Sequence, residues 1–366
     1  MLYTINNKEI KGSPSQRICG LDLIRVCAIF FVIAGHFFSL NTNFRNVPFF
    51  GYSMFVQSIM MTIFSLGVPL FIMLTGYLNI NKTPTKKYYT GMIRVLVAYI
   101  IFSIATIAFR KFYLGENLSL VQWTLKIFNY SAIPYAWYIE MWIGLALLTP
   151  FLNYLWKAIP SLKKKLLLIA SLFVMTSLPD LCNRYGMYLF PAYFAKACYP
   201  LMFYFIGTFI REYQPTIKSW LGLVVILCMA LINPLFNIIV FRGTHDIVEI
   251  AGGPGGIFLT WIAVVIFLML YRRDIKIKPI KKWITHCSMV SLEMYLCCYI
   301  FDRLYYPWFK EHFYETQQQF YVWFFVIVPL CFLSSYLTAS IYNSLKGLVH
   351  KCVTKSLIEK TSNEER

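Results

Sequence analysis

The chain contains ten apolar runs, each close to the length that a helix needs to cross a bilayer. A membrane-spanning helix requires about 20 mainly apolar residues. Hydrophobic residues make up 58% of the 366 and charged residues only 14%, against roughly 25% charged residues in soluble domains. The sequence therefore predicts an all-α, polytopic membrane protein with about ten transmembrane helices. The predicted spans are 21–40, 54–78, 92–110, 136–156, 165–181, 197–211, 219–241, 255–271, 286–304 and 320–345.

The basic residues indicate how these spans are oriented. The net charge is +18, but Lys and Arg occur in short clusters between apolar runs, which argues against a nucleic-acid partner. If the N-terminus is cytoplasmic, the inside segments hold 24 Lys and Arg and the outside segments 9. This asymmetry predicts that both termini are cytoplasmic. We expect a cytoplasmic segment 1–20, a membrane domain 21–345 and a cytoplasmic polar tail 346–366, located in a cell membrane.

The cysteines do not predict a metal site or a disulfide framework. Most of the ten lie within apolar runs, there is no CxxC pair, and no set of Cys and His has the spacing of zinc ligands. We interpret them as small packing residues and expect no metal.

Two polar residues of the first span, Arg25 and His36, are the strongest functional candidates. On an α-helix, two positions eleven residues apart differ by only roughly 20° around the helix axis and by about 16 Å along it. Both side chains therefore lie on one face, with Arg25 near the cytoplasmic boundary and His36 deeper. Asp22 precedes Arg25 by one turn and is expected to pair with it.

Each of these residues also has a purely structural interpretation. Burying a polar side chain at such depth in a membrane costs free energy and by default indicates function. His36 can, however, form its hydrogen bonds with a neighbouring helix and take no part in chemistry. Arg25 can extend its head group to the cytoplasmic interface.

Several ordered motifs give the chain a resemblance to the acyltransferase family 3 of integral membrane proteins. The resemblance extends over about residues 21–345. Its motifs are Leu21-Asp22-x-x-Arg25 with His36, Thr75-Gly76-Tyr77-Leu78, Arg94, Trp137-Tyr138-Ile139, Leu148-Thr149-Pro150-Phe151-Leu152, Tyr204-Phe205-Ile206-Gly207 and Ser291-x-x-x-Tyr295.

Three positions depart from the family pattern. Thr75 stands where the family usually has Ser, which keeps a hydroxyl. Gly91 replaces the first Arg of an Arg-x-x-Arg pair that ends at Arg94, and Lys87 is a possible substitute for the lost charge. Cys298 stands where the late motif often ends in His, so a role for a second His is not expected.

The resemblance implies transfer of an acyl group, commonly acetyl from acetyl-CoA, to a hydroxyl of a sugar or surface glycan precursor. No permanently bound cofactor is expected. The phosphates of a cytosolic acyl-CoA need cations on the inner face, and Lys86, Lys87 and Arg94 are predicted there, with Arg25 just inside the membrane. The alternative is that these are ordinary charges of cytoplasmic loops.

Acyl transfer also requires a base for the acceptor hydroxyl. His36 is the histidine that lies well within an apolar span, and a neutral imidazole accepts a proton. Glu140, at a similar predicted depth, is a candidate to orient His36. Direct transfer is the simpler mechanism, and a transient acyl-His36 is the alternative.

A further set of residues is predicted either to bind the acceptor or to pack the helices. These residues are Thr75, Tyr77, Trp137, Tyr138, Ser291 and Tyr295. Aromatic residues in this set can equally be interfacial or core residues.

Two other functions fit a protein with about ten helices. A transporter or flippase of a lipid-linked glycan intermediate would show repeat symmetry and helices broken at mid-membrane, and the sequence has no visible repeat. A glycan polymerase would be expected to carry a larger outside loop.

Overall fold

The computed structural model describes residues 17–49, 51–183, 189–241 and 255–364, and its side chains are described up to residue 348 except at positions 180, 196, 233, 237, 238, 240 and 241. Most of the predicted N-terminal segment 1–20 and the last two residues of the predicted tail lie outside these ranges. The regular elements of the described chain are helices, which confirms the all-α prediction. The α-helices are α1 Cys19–Ser39, α2 Gly51–Phe64, α3 Gly67–Asn79, α4 Lys86–Phe112, α5 Leu120–Phe128, α6 Trp137–Ala158, α7 Leu162–Cys182, α8 Ala195–Tyr213, α9 Ser219–Phe241, α10 Ile257–Leu270, α11 Lys278–Met289, α12 Ser291–Phe313, α13 Gln317–Phe320 and α14 Phe324–Glu364.

Six helical segments of the described chain are long and apolar enough to cross a membrane. They comprise α1, α2 with α3, α4, α6, part of α9, and α13 with α14. A seventh is obtained if α11 and α12, which meet at 75°, form one broken span. The chain is thus a multi-pass membrane protein, while the count of ten, which also needs α7, α8 and the 14-residue α10, stays a prediction.

Short polar side chains begin several of the helices. The Thr85 hydroxyl accepts a hydrogen bond from the backbone N–H of Tyr88 at the start of α4, and Ser161 caps α7 in the same way. Ser119 and Gln122 form a reciprocal capping box at the start of α5. These caps satisfy N–H groups that a helix leaves unpaired in its first turn, so the helix starts are fixed by local sequence.

Helix α1 lies at the centre of the bundle and packs against α2, α3, α10, α11, α12 and α14. Its residues Ile24, Ala28 and Ile33 are fully buried. At Gly67 the start of α3 approaches α1 so closely that a Cβ would lie 2.7 Å from the Ala28 carbonyl oxygen. Small residues allow such backbone contact between membrane helices. The central position of α1 brings its polar residues within reach of several other helices.

Helices α3 and α8 make the tightest crossing in the described chain. A Cβ on Gly76 would clash with the carbonyl of Tyr204, and a Cβ on Gly207 would clash with the carbonyl of Met73. The two glycines therefore let the helix backbones touch. This gives a packing reason for the glycines of two motifs identified in the sequence.

The loops that join these helices gather at two opposite ends of the bundle. One end, called the basic end, contains loops 80–85, 159–161, 214–218 and 271–277. Hydrogen bonds at this end connect Asn153 to Asn79, Lys165 to Glu212, Tyr271 to Pro215 and Arg17 to Thr285. The loops predicted to be cytoplasmic therefore lie together, as the alternating topology requires.

The opposite end contains the loops 40–49, 113–119 and 129–136. Its hydrogen bonds connect Gln57 to Gln317, Arg110 to Ser131 and Asn41 to Tyr135. Helix α14 starts here and runs back toward the basic end, where α1 also begins. At 1.5 Å per residue its 41 residues extend about 60 Å, twice the hydrocarbon thickness. Which end faces the cytoplasm stays a prediction.

Candidate active site

A cavity of about 620 Å³ follows α1 from Arg25 to His36. This cavity, here called the chamber, is bounded by α1, α3, α6 and α12 together with the α2–α3 junction. Its lining contains both Arg25 and His36, so the two residues share a face of α1, as their eleven-residue spacing predicts. The volume is within the range of small-molecule sites.

Asp302, on α12, lies beside the His36 ring, at the end of the chamber that is farther from Arg25. Its Oδ2 is 3.6 Å from His36 Nδ1, which is within ion-pair reach but longer than a hydrogen bond. Asp302 is fully buried. A buried carboxylate next to an imidazole can fix its tautomer and stabilise the imidazolium once a proton is taken up.

Two further side chains hold Asp302 in place. Tyr135 donates a hydrogen bond of 2.8 Å and Asn41 one of 2.9 Å to Asp302 Oδ2. Asn41 also donates to the His36 carbonyl, and the rings of Tyr135 and His36 are in contact, with centroids 3.9 Å apart. Asp302 Oδ1 has no hydrogen-bond partner in the described chain. The carboxylate is therefore fixed in position yet keeps a free acceptor oxygen.

The His36 ring has one nitrogen directed into the protein and one available to the chamber. Nδ1 faces Asp302 and is also 3.8 Å from the Cys298 Sγ. Cys298 is fully buried and does not line the chamber. Because Nδ1 is turned inward, Nε2 is the nitrogen that can meet a molecule in the chamber.

The wall opposite α1 is rich in aromatic side chains. Trp137, Tyr138 and Trp142 of α6 line the chamber, and Arg45 lines it beyond His36. The Tyr295 hydroxyl donates to the Tyr135 carbonyl, which ties α12 to the segment before α6. An apolar wall with a few polar groups is typical of sites for organic ligands.

A second cavity, of about 580 Å³, lies at the basic end and is here called the arginine mouth. Arg17, Arg25 and Arg211 line it. It shares Arg25, Leu78, Ser291 and Leu292 with the chamber, so the two cavities adjoin at these four residues. The break between α11 and α12 falls at Val290, next to Ser291, at this junction.

A hydrogen-bonded network joins α1 to α11 in the arginine mouth. Arg17 holds the Asp22 carboxylate through two bonds, of 2.6 and 2.8 Å, and the Ser288 hydroxyl donates to the same carboxylate at 2.7 Å. Arg25 donates to the Ser288 hydroxyl at 3.0 Å and lies 3.8 Å from Asp22. The predicted pair of Asp22 with Arg25 is present, but Arg17 is the closer partner.

The structure brings most of the predicted site residues to these two cavities. The chamber is lined by Arg25, His36, Thr75, Trp137, Tyr138, Ser291 and Tyr295, and the arginine mouth by Tyr77. Four others line neither cavity and are exposed, namely Lys86, Lys87, Arg94 and Glu140. The structure places Asp302, and not Glu140, beside His36.

Sequence reasoning missed Asp302, Arg211 and Ser288. Asp302 lies near the end of the ninth predicted span, next to Arg303, and a charged residue inside a predicted span is itself a functional signal. Arg211 looked like an ordinary charge of a cytoplasmic loop. No sequence signal distinguishes Ser288 from other serines.

A known protein family matches most of this chain. The model of acyltransferase family 3, described as an acyltransferase domain, matches residues 19–340. The chain belongs to acyltransferase family 3. The match includes α1 to α12 and the membrane part of α14, so the chamber and the arginine mouth lie almost entirely within the acyltransferase domain. No curated protein and no solved structure matches this family 3 acyltransferase.

Proposed function

We propose that the chain transfers an acyl group, acetyl in the simplest case, from an acyl-CoA donor to a hydroxyl of a carbohydrate or surface glycan precursor. The main support is that Arg25 and His36 line the same cavity. A cation suited to the donor's phosphates and a base suited to the acceptor's hydroxyl are therefore connected through the interior of a membrane acyltransferase.

His36 is the general base of this reaction. Its Nδ1 faces the Asp302 carboxylate, which favours the tautomer with the proton on Nδ1 and leaves the lone pair of Nε2 to accept the proton of the acceptor hydroxyl. The 3.6 Å separation can shorten in a complex with substrate, since catalytic hydrogen bonds are often long in empty sites. Asp302 then stabilises the imidazolium.

The transfer step is direct. The acceptor oxygen attacks the thioester carbonyl as Nε2 of His36 removes its proton. The new C–O bond forms, the C–S bond breaks, and the imidazolium returns its proton to the departing thiolate. One histidine thus serves as base and then as acid, which leaves the enzyme in its starting state.

The two substrates approach from opposite ends. The donor enters at the basic end, where Arg25 borders both cavities, and its thioester extends into the chamber. The acceptor enters beyond His36, where Leu40, Arg45 and Trp137 are exposed at the chamber rim. Aromatic side chains there provide flat apolar surface for a sugar ring.

The test is acyl transfer by the purified protein in nanodiscs, with labelled acetyl-CoA and a glycan fraction as acceptor. His36→Gln keeps hydrogen bonding but cannot take a proton at neutral pH, so transfer should fall by about 10²–10⁴-fold. His312→Gln is the matched control, because His312 is exposed at the end of α12 and lines neither cavity. Its activity should equal that of the wild type.

Two results would contradict the proposal. Substantial transfer by the Gln variant would mean that His36 has only a positional role. With the protein in sealed proteoliposomes, movement of the acceptor across the membrane without consumption of acetyl-CoA would instead favour the transporter or flippase function.

A further inference from the structure

The arginine mouth holds more positive than negative charge. Arg17, Arg25 and Arg211 line it, and Asp22 is the one carboxylate among its lining residues. Cations that line a cleft with low-dielectric walls raise the local concentration of anions. The mouth is therefore suited to an anionic ligand.

Asp22 cannot neutralise all three arginines. Both of its oxygens are engaged by Arg17, and Oδ1 also accepts the Ser288 hydroxyl. Arg25 reaches Asp22 only at 3.8 Å, and its guanidinium makes its shorter contact with the neutral Ser288 hydroxyl. The charge of Arg25 is thus only partly balanced.

Arg211 has no carboxylate partner in the described chain. Its guanidinium lies 5.2 Å from the centre of the Tyr77 ring and makes a long contact of 3.4 Å with the Tyr77 hydroxyl. The adjacent Glu212 is bound instead to Lys165, at 2.7 Å. A half-buried guanidinium held against an aromatic ring keeps its planar donor fork available for a ligand.

We propose that the arginine mouth binds the phosphate groups at the nucleotide end of the donor, with Arg211 and Arg25 as direct ligands. This rests on the proposed function, in which the donor is an acyl-CoA. Arginine binds phosphate through two parallel hydrogen bonds, and about 580 Å³ accommodates a phosphate-bearing group. The phosphates remain here while the thioester arm passes Leu78, Ser291 and Leu292 into the chamber.

This assignment keeps Arg25 from the sequence-based prediction but replaces the three cations of α4 with Arg211. Lys86, Lys87 and Arg94 on α4 are exposed and line neither cavity. Exposed cations contribute little fixed geometry to a bound ligand. Donor recognition is therefore assigned to α1 and α8.

The test compares two donors, acetyl-CoA and the phosphate-free S-acetyl-pantetheine, with protein in nanodiscs of zwitterionic lipid. For Arg211→Gln, the ratio of kcat/KM for acetyl-CoA to that for S-acetyl-pantetheine should fall by about 10- to 100-fold, as expected for loss of charge-assisted hydrogen bonds. Arg211→Lys keeps the charge but not the fork, so its ratio should be intermediate.

Arg272→Gln is the matched control. Arg272 is also at the basic end and also lies 5.2 Å from a tyrosine ring, that of Tyr271, but it lines neither cavity. Its donor ratio should remain that of the wild type. An equal change for Arg211→Gln and Arg272→Gln, or an equal loss with the two donors, would overturn the proposal.

Direct binding of labelled CoA separates this proposal from the proposed function. Arg211-dependent CoA binding without any acyl transfer would leave the site intact and reject the function. Transfer from acetyl-CoA by Arg211→Gln with an unchanged KM for acetyl-CoA would support the function and reject the phosphate site. A third outcome is that displacement of a labelled anionic lipid depends on Arg211 while CoA binding does not depend on it. This outcome would assign the mouth to a lipid head group and overturn the proposal.

Discussion

The chamber and the arginine mouth both place charged groups inside a membrane protein, but they treat these charges differently. Beside His36 at the chamber, Asp302 is fully buried and receives hydrogen bonds from Asn41 and Tyr135. In the mouth, the side chains of Arg17 and Arg25 are 44% and 27% exposed. The first region therefore holds a single buried carboxylate next to an imidazole, while the second leaves its cations accessible.

Under the proposed function, this difference corresponds to the difference between catalysis and recognition. A general base must hold one tautomer and one orientation, which requires buried, hydrogen-bonded support. A site for a multiply charged ligand must exchange that ligand with water, which requires accessible cations. We therefore expect substitutions in the chamber to lower kcat and substitutions in the mouth to raise KM.

The largest expected effect is the all-or-none labelling of the two ends. In a background without native cysteines, Lys278→Cys at the basic end should react with a membrane-impermeant thiol reagent only from the cytoplasmic side. Asn117→Cys at the opposite end should react only from outside. The reason is the excess of Lys and Arg in the loops of the basic end. Labelling of the cysteine at 278 from outside would reverse the predicted orientation.

The next largest effect is expected for Asp302→Asn. The amide keeps the size of the carboxylate but can present an N–H to His36 Nδ1, which favours the wrong tautomer, so kcat should fall by about 10²–10⁴-fold. Asp302→Glu should recover part of this loss because it restores a carboxylate. The control is Asp274→Asn, an exposed residue that pairs with Lys281 at the basic end.

Acyl-transfer kinetics with varied donor concentration, at a constant acceptor concentration, distinguish the two roles. A rise in donor KM at unchanged kcat in Asp302→Asn would remove the distinction between a catalytic chamber and a recognition mouth. Activity equal to wild type would show that the carboxylate does not support His36.

The smallest effect is expected in the loop at the chamber end. Arg110 holds Glu116 through two hydrogen bonds, of 2.8 and 2.7 Å, and keeps the pKa of that carboxyl below its ordinary value. A lowered pKa means that this pair stabilises the fold above the pKa of the unfolded carboxyl and ceases to do so as the pH falls through the folded pKa. Glu116→Gln should therefore cost about 1 kcal/mol near neutral pH.

Thermal unfolding in detergent from pH 7 to pH 3 measures this prediction. The difference in stability between wild type and Glu116→Gln should begin to narrow as the pH falls below the ordinary pKa of a glutamate, about 4.3. It should close once the pH falls below the lowered pKa of folded Glu116. A difference in unfolding temperature that stays constant over this pH range would mean that charge plays no part in the contact between Arg110 and Glu116.

The sequence predicted the parts of the site that depend on one helix. Arg25 and His36 line one cavity because their spacing places them on one face of α1. Gly76 and Gly207 were recognisable as motif residues, and the structure shows that each permits a backbone contact between α3 and α8. Motif residues Thr75, Trp137, Tyr138, Ser291 and Tyr295 line the chamber as a group.

The parts that depend on contacts between helices were not predictable in the same way. Asp302 follows His36 by 266 residues, and Glu140 was chosen as its partner from depth alone. Depth along the membrane normal does not specify rotation about the helix axis, and Glu140 is in fact exposed on α6. Likewise, the predicted span 54–78 remains a single span but contains a turn at residues 65–66, and the predicted span 286–304 is bent by 75° at Val290.

The sequence by itself determined that this protein is helical, that it spans a membrane, and that a cation and an imidazole share one face of the first helix. Apolar run length and helical periodicity are local properties, so they can be read without knowing the fold. Only the tertiary structure decided that Asp302 lies beside His36 and that Arg211 joins Arg25 in one cavity. Such pairings depend on which helices pack together and on how each is rotated, and these are set by packing across the whole bundle.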